Sequence, residues 1–368
     1  MKKLTDEKWM ERALGLARKG EGWTAPNPMV GAVIVKDGQI VGEGFHQKAG
    51  TPHAEVHALA MARDQAKGAA VYVTLEPCCH YGRTPPCTEA LIRAGVAKVV
   101  VAMEDPNPKV AGGGIRQLRE AGIEVVTGVL EREAQVLNEV FVKHVTLHRP
   151  FLALKSAVTL DGKTASRTGS SQWITGKEAR ELAHKLRHRY DAILVGIGTV
   201  LADNPQLTTR IPGLKNPLRV VIDSSLRVPL DARVLDTKTG PTWVFTAQGN
   251  SPQAESLREK GVDVIPCPGP GGKVDLDAVI QILYEKGITG VLIEGGAEIT
   301  GAFFDRQLAD KFYIFVAPKL IGSHLAPGLI GGCGISGMKD AVFLEDLSLE
   351  KVGQDFLFVG YPKFNRIT

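Results

Sequence analysis

The feature that most restricts the fold of this chain is a repeated alternation of short valine-rich runs with stretches of helical periodicity. "AAVYVTL", "AKVVVAM" and "IEVVTGV" are apolar nearly throughout, as strands buried on both faces are. The segments between them, about 87–94 and 113–121, have apolar residues at helical spacing. This order makes a mostly parallel sheet with helices on both faces, an α/β fold. Upstream, Thr5 reads as a cap, Trp9, Met10, Ala13, Leu14 and Ala17 as an apolar stripe, and Gly20 as a helix stop. Two apolar runs flank Asp37-Gly38, a hairpin signal, and a helix is expected over about 52–66.

A longer helix, about 131–147, ends in "LHRPF", where Pro150 cannot continue it. The expected domains are therefore 1–148 and 149–368, a reasonable division for 368 residues. The second half alternates again. Helices are expected at about 176–188, 275–286 and 297–307, with strands "DAILVG", "RVVIDS", "TWVFT", "GVLIEGG" and "KFYIFVAP" and a loop "PCPGPGGK".

Composition narrows the function classes. The formal net charge is +4 and no basic run occurs, so charge gives nucleic-acid binding no support. No apolar run is long enough to span a bilayer, and the amino terminus is too densely charged for a secretory core. Three of the five cysteines crowd into "LEPCCHYGRTPPC". That clustering favours a metal or catalytic site in a cytoplasmic protein over a disulfide framework.

Thr51-Pro52-His53 reads as a helix start, with Thr51 as cap and Pro52 in the first turn. His53 then lies at the positive end of the helix with Glu55 two residues on; the two do not share a helix face but can converge on a cavity at the open end. His53 and His57 are four apart, but the glutamate stands one place later than in zinc proteases. These residues could also simply decorate an exposed helix face.

Hydrolytic zinc needs three protein ligands and one open position. His53, Cys78 at the carboxyl end of "VYVTL", and Cys87 at the start of the next helix supply them, with Cys79 in place of Cys78 as the alternative. A helix-borne H-x-E followed by P-C and a further cysteine is the zinc deaminase signature.

"HAE", "EPCCHYGRTPPC" and "APNPMVGAVIV" resemble the bifunctional riboflavin-biosynthesis deaminase/reductase family. The resemblance runs the length of the chain and implies a cytidine-deaminase-like domain followed by a dihydrofolate-reductase-like domain. The wider superfamily has a shorter loop between its cysteines; here "CHYGRTPP" follows Cys78, as is the rule in the riboflavin family. The resemblance implies zinc on His53, Cys78 and Cys87, and Glu55 as proton shuttle. It assigns Asn27, His46, His80 and Arg83 to a pyrimidine ring and its ribosyl phosphate.

For the second half, "LVGIGTVLAD" has Gly196 and Gly198 but Leu201 where a dinucleotide fingerprint needs glycine. "IEGGAEITGAFF" is better suited, a strand, two glycines and a helix start, able to cradle a pyrophosphate. "KSAVTLDGKTA", "SQWITG", "GTVLADNPQLTTR" and "VVIDSSLRVP" extend the resemblance. It implies NADPH lined by Ala157, Trp173, Thr199, Asp203, Ser224 and Gly296, with Ser224 and Arg227 as candidates for reading its extra ribose phosphate. Ser171, Arg187, Leu207, Arg210 and Glu294 would face the substrate. Lys155 would orient or protonate the opening sugar, whereas Asp161-Gly162 reads as a turn. The expected protein is a homo-oligomer acting on a small molecule, without nucleic acid or membrane. The rivals are a zinc-dependent nucleoside or tRNA deaminase and a binding protein with structural zinc.

Overall fold

The computed structural model describes residues 2–81, 85–107 and 110–364. The chain divides into two compact units, Met1–Arg149 and Pro150–Thr368.

In the first unit, strands β1 (Gly31–Lys36), β2 (Gln39–Phe45), β3 (Ala70–Leu75), β4 (Lys98–Met103) and β5 (Glu124–Thr127) form one sheet in the order β2-β1-β3-β4-β5. The β1–β2 hairpin turns at Asp37 and Gly38, both with positive φ (50° and 77°), as a twisted hairpin requires. β1 is antiparallel to both neighbours, and only β3, β4 and β5 run parallel, so this sheet is mixed instead of mostly parallel.

The pleat sends alternate residues to opposite cores. Ala32, Ile34, Val71, Val73 and Val99 pack under helices α2 (Ala54–Ala62), α3 (Cys87–Ala94) and α4 (Gly113–Glu120). Val33, Val35, Tyr72 and Val100 meet α1 (Lys2–Ala17) and α5 (Glu131–Leu137). A Cβ on Gly42 or Gly44 would collide with the carbonyl oxygens of Ala58 or Ala54, so glycine there lets α2 lie directly on β2.

Three local expectations change. Helix α1 begins at Lys2, ahead of Thr5. The helix from 52 shortens to α2 plus a 3-10 turn at Arg63–Ala66. The helix from 131 to 147 is two helices, α5 and α6 (Glu139–Leu147), parted at Asn138. Asn138 is buried; its Oδ1 accepts from Met29 N at 2.8 Å and its Nδ2 donates to Met29 O at 3.0 Å. The amide reaches those groups from a residue outside the helical conformation.

The second unit is built on a nine-stranded sheet: β6 (Phe151–Thr159), β7 (Ala192–Gly196), β8 (Leu218–Ile222), β9 (Thr242–Thr246), β10 (Asp263–Pro266), β11 (Gly290–Glu294), β12 (Lys311–Ala317), β13 (Phe343–Val352) and β14 (Asp355–Lys363). Their order is β10-β9-β8-β7-β11-β6-β12-β14-β13, parallel from β10 to β12 and closed by an antiparallel hairpin.

Helices α7 (Lys177–Arg189), α8 (Ile197–Asp203), α9 (Pro252–Glu259), α10 (Leu276–Glu285) and α11 (Ala297–Asp305) complete the unit. Leu194, Val220, Phe245 and Ile293 pack with α10 and α11 on one face; Ile193, Val195, Val221 and Val244 pack with α8 and α9 on the other. β10, β13, β14, α8 and α9 are additions to the sequence reading. Adjacent parallel strands β7 and β11 end at Gly196 and Glu294, while β6 runs on beside them to Thr159; the crevice beyond such carboxyl ends is where α/β sheets bind ligands. Among the described residues no helix is long and apolar enough to cross a membrane.

Candidate active sites

In the first unit, β3 delivers Glu76-Pro77-Cys78 to its carboxyl end, and two helices begin beside it. His53 is the N-cap of α2, in extended conformation (φ −74°, ψ 165°) and without a side-chain cap bond, so its imidazole is available to the cysteines. Thr51 is not the cap: its hydroxyl donates to Lys48 O at 2.7 Å and closes a separate turn. Cys87 is the first residue of α3, behind Pro86.

His53 Nδ1 lies 3.2 Å from Cys87 Sγ and 3.6 Å from Cys78 Sγ. The donor atoms of His53, Cys78 and Cys87 all lie within 4.8 Å of one another. Zn–N and Zn–S bonds of about 2.0 and 2.3 Å at tetrahedral angles separate donors by about 3.5–3.8 Å, so these three atoms fit a zinc ion. Cys79 points elsewhere: its Sγ sits against Gly113 at the start of α4.

Hydrogen bonding from Cys87 holds the Cys78 thiol down at about 4, with His53 adding to the effect. The same bond raises the Cys87 thiol, with burial and the nearby Glu55 carboxylate acting in the same direction. The two thiols are therefore shifted in opposite directions, Cys78 toward its thiolate and Cys87 away from it. Glu55 is 3% exposed. Burial raises its carboxyl, and the Cys78 thiolate raises it further against the pull of His53. A buried carboxyl raised in this way beside the metal donors is placed to accept and return a proton.

These groups open into a cavity of about 470 Å³ that Asn27, His46, His80, His53, Glu55 and Cys78 help to line. His46 is buried, and its Nδ1 lies 3.2 Å from Pro52 O. A carbonyl can only accept, so Nδ1 carries the proton and Nε2 accepts from Asn27 Nδ2 at 3.1 Å. Burial lowers the His46 pKa, in the direction of the neutral ring that these two bonds require. Arg83 lies outside the described residues.

The sequence reading missed Glu76 and Asp105. Glu76 is 3% exposed, and its carboxylate accepts four backbone N–H groups. Oε2 takes Asp105 N at 3.1 Å and Gly112 N at 2.9 Å; Oε1 takes Gly114 N at 2.8 Å and Ile115 N at 3.1 Å. This ties down the segment carrying Asp105 and Asn107, both of which line the cavity. Burial lifts the Asp105 carboxyl to about 6. The available signal was position: "EDPNP" follows β4 at the same carboxyl edge of the sheet.

The second unit carries a cavity of about 740 Å³ at the carboxyl ends of β7 and β11 and along the second half of β6. Lys155 and Ala157 line it from β6 itself, and Ser171 and Trp173 from the chain after that strand. Arg187, Thr199, Asp203, Leu207, Arg210, Glu294 and Gly296 line it from the other sides. Ser224 does not: its Oγ accepts from Val274 N at 3.0 Å, away from the cavity lining. Arg227 is exposed and outside the lining as well. Asp161 makes the expected turn, its carboxylate accepting from Thr159 Oγ1 at 2.6 Å and Gly322 N at 2.6 Å.

The centre of this cavity is a buried charge cluster. Arg187 grips Glu294 through two parallel bonds, Nε to Oε1 at 3.0 Å and Nη2 to Oε2 at 2.9 Å, and donates from Nη1 to Thr208 O at 3.0 Å. Lys155 Nζ lies 3.7 Å from Glu294 Oε2. Burial acts to raise the Glu294 carboxyl, but Arg187 and Lys155 more than offset it and hold it at about 2. His184, also missed from sequence, lines the same wall; burial, with Arg187 and Arg210, pushes it down to about 4.

After β11, Gly295 and Gly296 lead into α11. A Cβ on Gly295 would collide with Ile299 Cγ2, whereas nothing lies within 4 Å of one built on Gly296. The turn therefore presents bare backbone at a helix start, which fits the pyrophosphate of a dinucleotide. Ser171 Oγ donates to Asp203 Oδ1 at 2.9 Å, and the Arg180 guanidinium stacks 4.6 Å from the Trp173 ring.

A three-layer unit with a His/Cys/Cys donor set beside a buried glutamate, and a parallel-sheet unit with a glycine cradle beside a cationic cavity, together define a zinc deaminase fused to a nucleotide-dependent reductase. Residues 3–103 match the cytidine and deoxycytidylate deaminase zinc-binding region, and residues 150–358 match the RibD C-terminal domain.

The chain belongs to the riboflavin biosynthesis protein RibD family. It is 48% identical over 353 residues to the Aquifex aeolicus protein (96% of this chain, 97% of the other). It is 44% identical over 366 residues to that of Escherichia coli (96% and 98%). The structure of Acinetobacter baumannii RibD superposes with TM-score 0.88 at 41% identity, covering 98% of this chain and 99% of that one. A diaminohydroxyphosphoribosylaminopyrimidine deaminase/5-amino-6-(5-phosphoribosylamino)uracil reductase from Thermotoga maritima gives 0.86 at 39%, covering 99% and 100%. The protein is a bifunctional deaminase and reductase of riboflavin biosynthesis, with zinc and NADPH as its cofactors.

Proposed function

We propose that the first unit deaminates 2,5-diamino-6-ribosylamino-4(3H)-pyrimidinone 5′-phosphate and that the second reduces the ribosyl group of the product to ribityl. The observation that carries the first half is the convergence of His53, Cys78 and Cys87 beside the buried Glu55. Zinc on those ligands supplies a Lewis acid that makes water nucleophilic near neutral pH. Glu55 takes one proton from the attacking water and delivers it to the ring nitrogen, then takes the second from the hydroxyl that has added to the ring carbon and gives it to the amine. One water is consumed, a carbonyl replaces the amino group, and ammonia leaves. His46, neutral and fixed by Pro52 O, orients Asn27 toward the ring. His80 and Arg83 are assigned to the ribosyl phosphate.

In the second unit, NADPH supplies a hydride to the former anomeric carbon once the ribose ring has opened to an imine. The Gly295-Gly296 turn and the start of α11 hold its pyrophosphate, while Ala157, Trp173, Thr199 and Asp203 line its path. Ser171, Leu207, Arg210 and Glu294 face the substrate, and Lys155 orients or protonates the opening sugar oxygen. A homo-oligomer is supported by the outer strand β13, whose Phe343, Leu347 and Leu349 are 74%, 55% and 59% exposed. A cytoplasmic setting agrees with five free cysteines, and cavities of about 470 and 740 Å³ suit a small molecule.

Glu55→Gln tests the deaminase assignment. It should keep zinc, lose ammonia release by about a hundredfold or more, and still oxidise NADPH with pre-deaminated substrate. A structural-zinc protein would show no effect on any of these. Ammonia release from tRNA but not from the pyrimidine phosphate would move the protein to the nucleic-acid deaminases.

A further inference from the structure

The cationic residues of the reductase cavity are not equally available to a ligand. Lys155 and Arg187 are both already paired with Glu294. Arg180 stacks on Trp173 and donates to Thr175 O at 2.6 Å. Two cations are left, Arg210 and Arg233. Neither guanidinium makes a hydrogen bond or ion pair with any described residue. Two like charges that line one cavity, neither of them paired with a carboxylate, suit an anion.

The backbone holds the two arginines in a fixed relation. Asn204, Leu207 and Arg210 all have positive φ (40°, 58° and 56°), a conformation that costs a residue other than glycine about 1 kcal/mol or more. The surroundings impose it: Leu207 is 2% exposed, Thr209 N donates to Asn216 Oδ1 at 2.9 Å, and Thr209 Oγ1 donates to Lys215 O at 2.8 Å. Arg233 belongs to a separate 3-10 turn, Arg233–Leu235, yet its backbone N–H donates to Asn204 Oδ1 at 2.8 Å. One loop therefore sets the backbone positions from which both arginines reach the cavity. Burial, with the charges of Arg187 and Arg233, lowers the Arg210 pKa, a repulsion that a bound dianion would relieve.

We propose that Arg233 is a substrate-binding residue of the reductase, closing with Arg210 on the 5′-phosphate while Arg187 is committed to holding Glu294. This rests on the reductase reading above. The clamp makes the second unit selective for the phosphorylated pyrimidine over its dephosphorylated form.

The test is steady-state NADPH oxidation by the full-length enzyme with the deaminated substrate, phosphorylated and dephosphorylated, in Arg233→Gln and Arg233→Lys. Loss of one charge-assisted pair should raise KM for the phosphorylated substrate about tenfold, with kcat within about twofold and KM for NADPH unchanged. The dephosphorylated substrate should not distinguish Gln from wild type, and Lys should recover most of the loss. Inorganic phosphate, used as a competitive inhibitor, should weaken by the same factor in Arg233→Gln.

An unchanged KM in an enzyme that still turns over would overturn the proposal, as would a rise confined to NADPH, which would assign Arg233 to the cofactor's phosphate. Equal damage with both substrates, reproduced by Arg233→Lys, would reduce Arg233 to a structural role and overturn it as well. Failure of the wild type to oxidise NADPH would sink the reductase reading itself.

Discussion

Glu76→Gln is a one-atom exchange whose outcome follows from the four backbone donors around the carboxylate. A glutamine keeps one oxygen, which can serve Gly114 and Ile115 N–H. Its NH2 then faces the N–H groups of Asp105 and Gly112, donor against donor. Each N–H bond to an ionised acceptor is worth about 1.5–3 kcal/mol, so losing two costs about 3–6 kcal/mol, less whatever the loop recovers by moving toward water. We expect about 4 kcal/mol off the stability of the first unit. Urea unfolding with amide exchange read at Asp105 and Gly112 measures it: those two amides should lose protection before the strands do. Asp105 and Asn107 line the deaminase cavity, so KM for the pyrimidine phosphate should rise about tenfold or more. Zinc content should hold, because Glu76 binds no metal ligand. An unchanged urea midpoint with full protection at Asp105 and Gly112 would refute the reasoning, since the four bonds would then be doing nothing that an amide cannot do.

Two further outcomes follow from buried polar groups. Glu294, held at about 2 in the folded protein against an ordinary value near 4.3, contributes stability that is fully present above the unfolded value and is lost as pH falls toward 2. The wild type should therefore exceed Glu294→Gln by about 3 kcal/mol at pH 6, a gap that closes between about pH 4 and 2 in pH-dependent urea titrations; a gap independent of pH would contradict the ion-pair account. Asn138→Ala removes both bonds to Met29 and should cost the first unit about 2–4 kcal/mol, read as a lower thermal midpoint, unless the two helices fuse and recover part of it.

How much of this was legible in the sequence depends on how local each cause is. His53, Glu55, Cys78 and Cys87 could be read because strand ends and helix starts place them through their immediate neighbours. Thr51 was misassigned because the same local rule had two solutions; the chain used its hydroxyl on Lys48 and left His53 as the cap. Asn138 was read as mid-helix because nothing between 131 and 147 signals a break, and the cause lies at Met29. Strands β13 and β14 escaped detection because β13 is exposed along nearly its whole length, so its sequence lacks the alternation that one-sided burial imposes. β10 is four residues long with no periodicity to read.

The buried glutamates bring out the same distinction within the sites. Glu76 follows β3 and Glu294 ends β11, each at the carboxyl edge of its sheet, where the strands place functional groups. In sequence they look alike, one before Pro77 and one before Gly295. In the structure, Glu76 is held by four amides from a segment roughly thirty to forty residues further along the chain, and Glu294 by the side chains of Lys155, on the neighbouring strand, and Arg187, on α7. A carboxylate held by peptide groups fixes a wall, because amides cannot move without the backbone. One held by cations sets the charge its neighbours present, and so decides which arginines remain free to meet a phosphate. Strand periodicity gives the position of both residues, and only the tertiary partners give their work; the arginines left over at 210 and 233 become visible once the pairing of Glu294 is known.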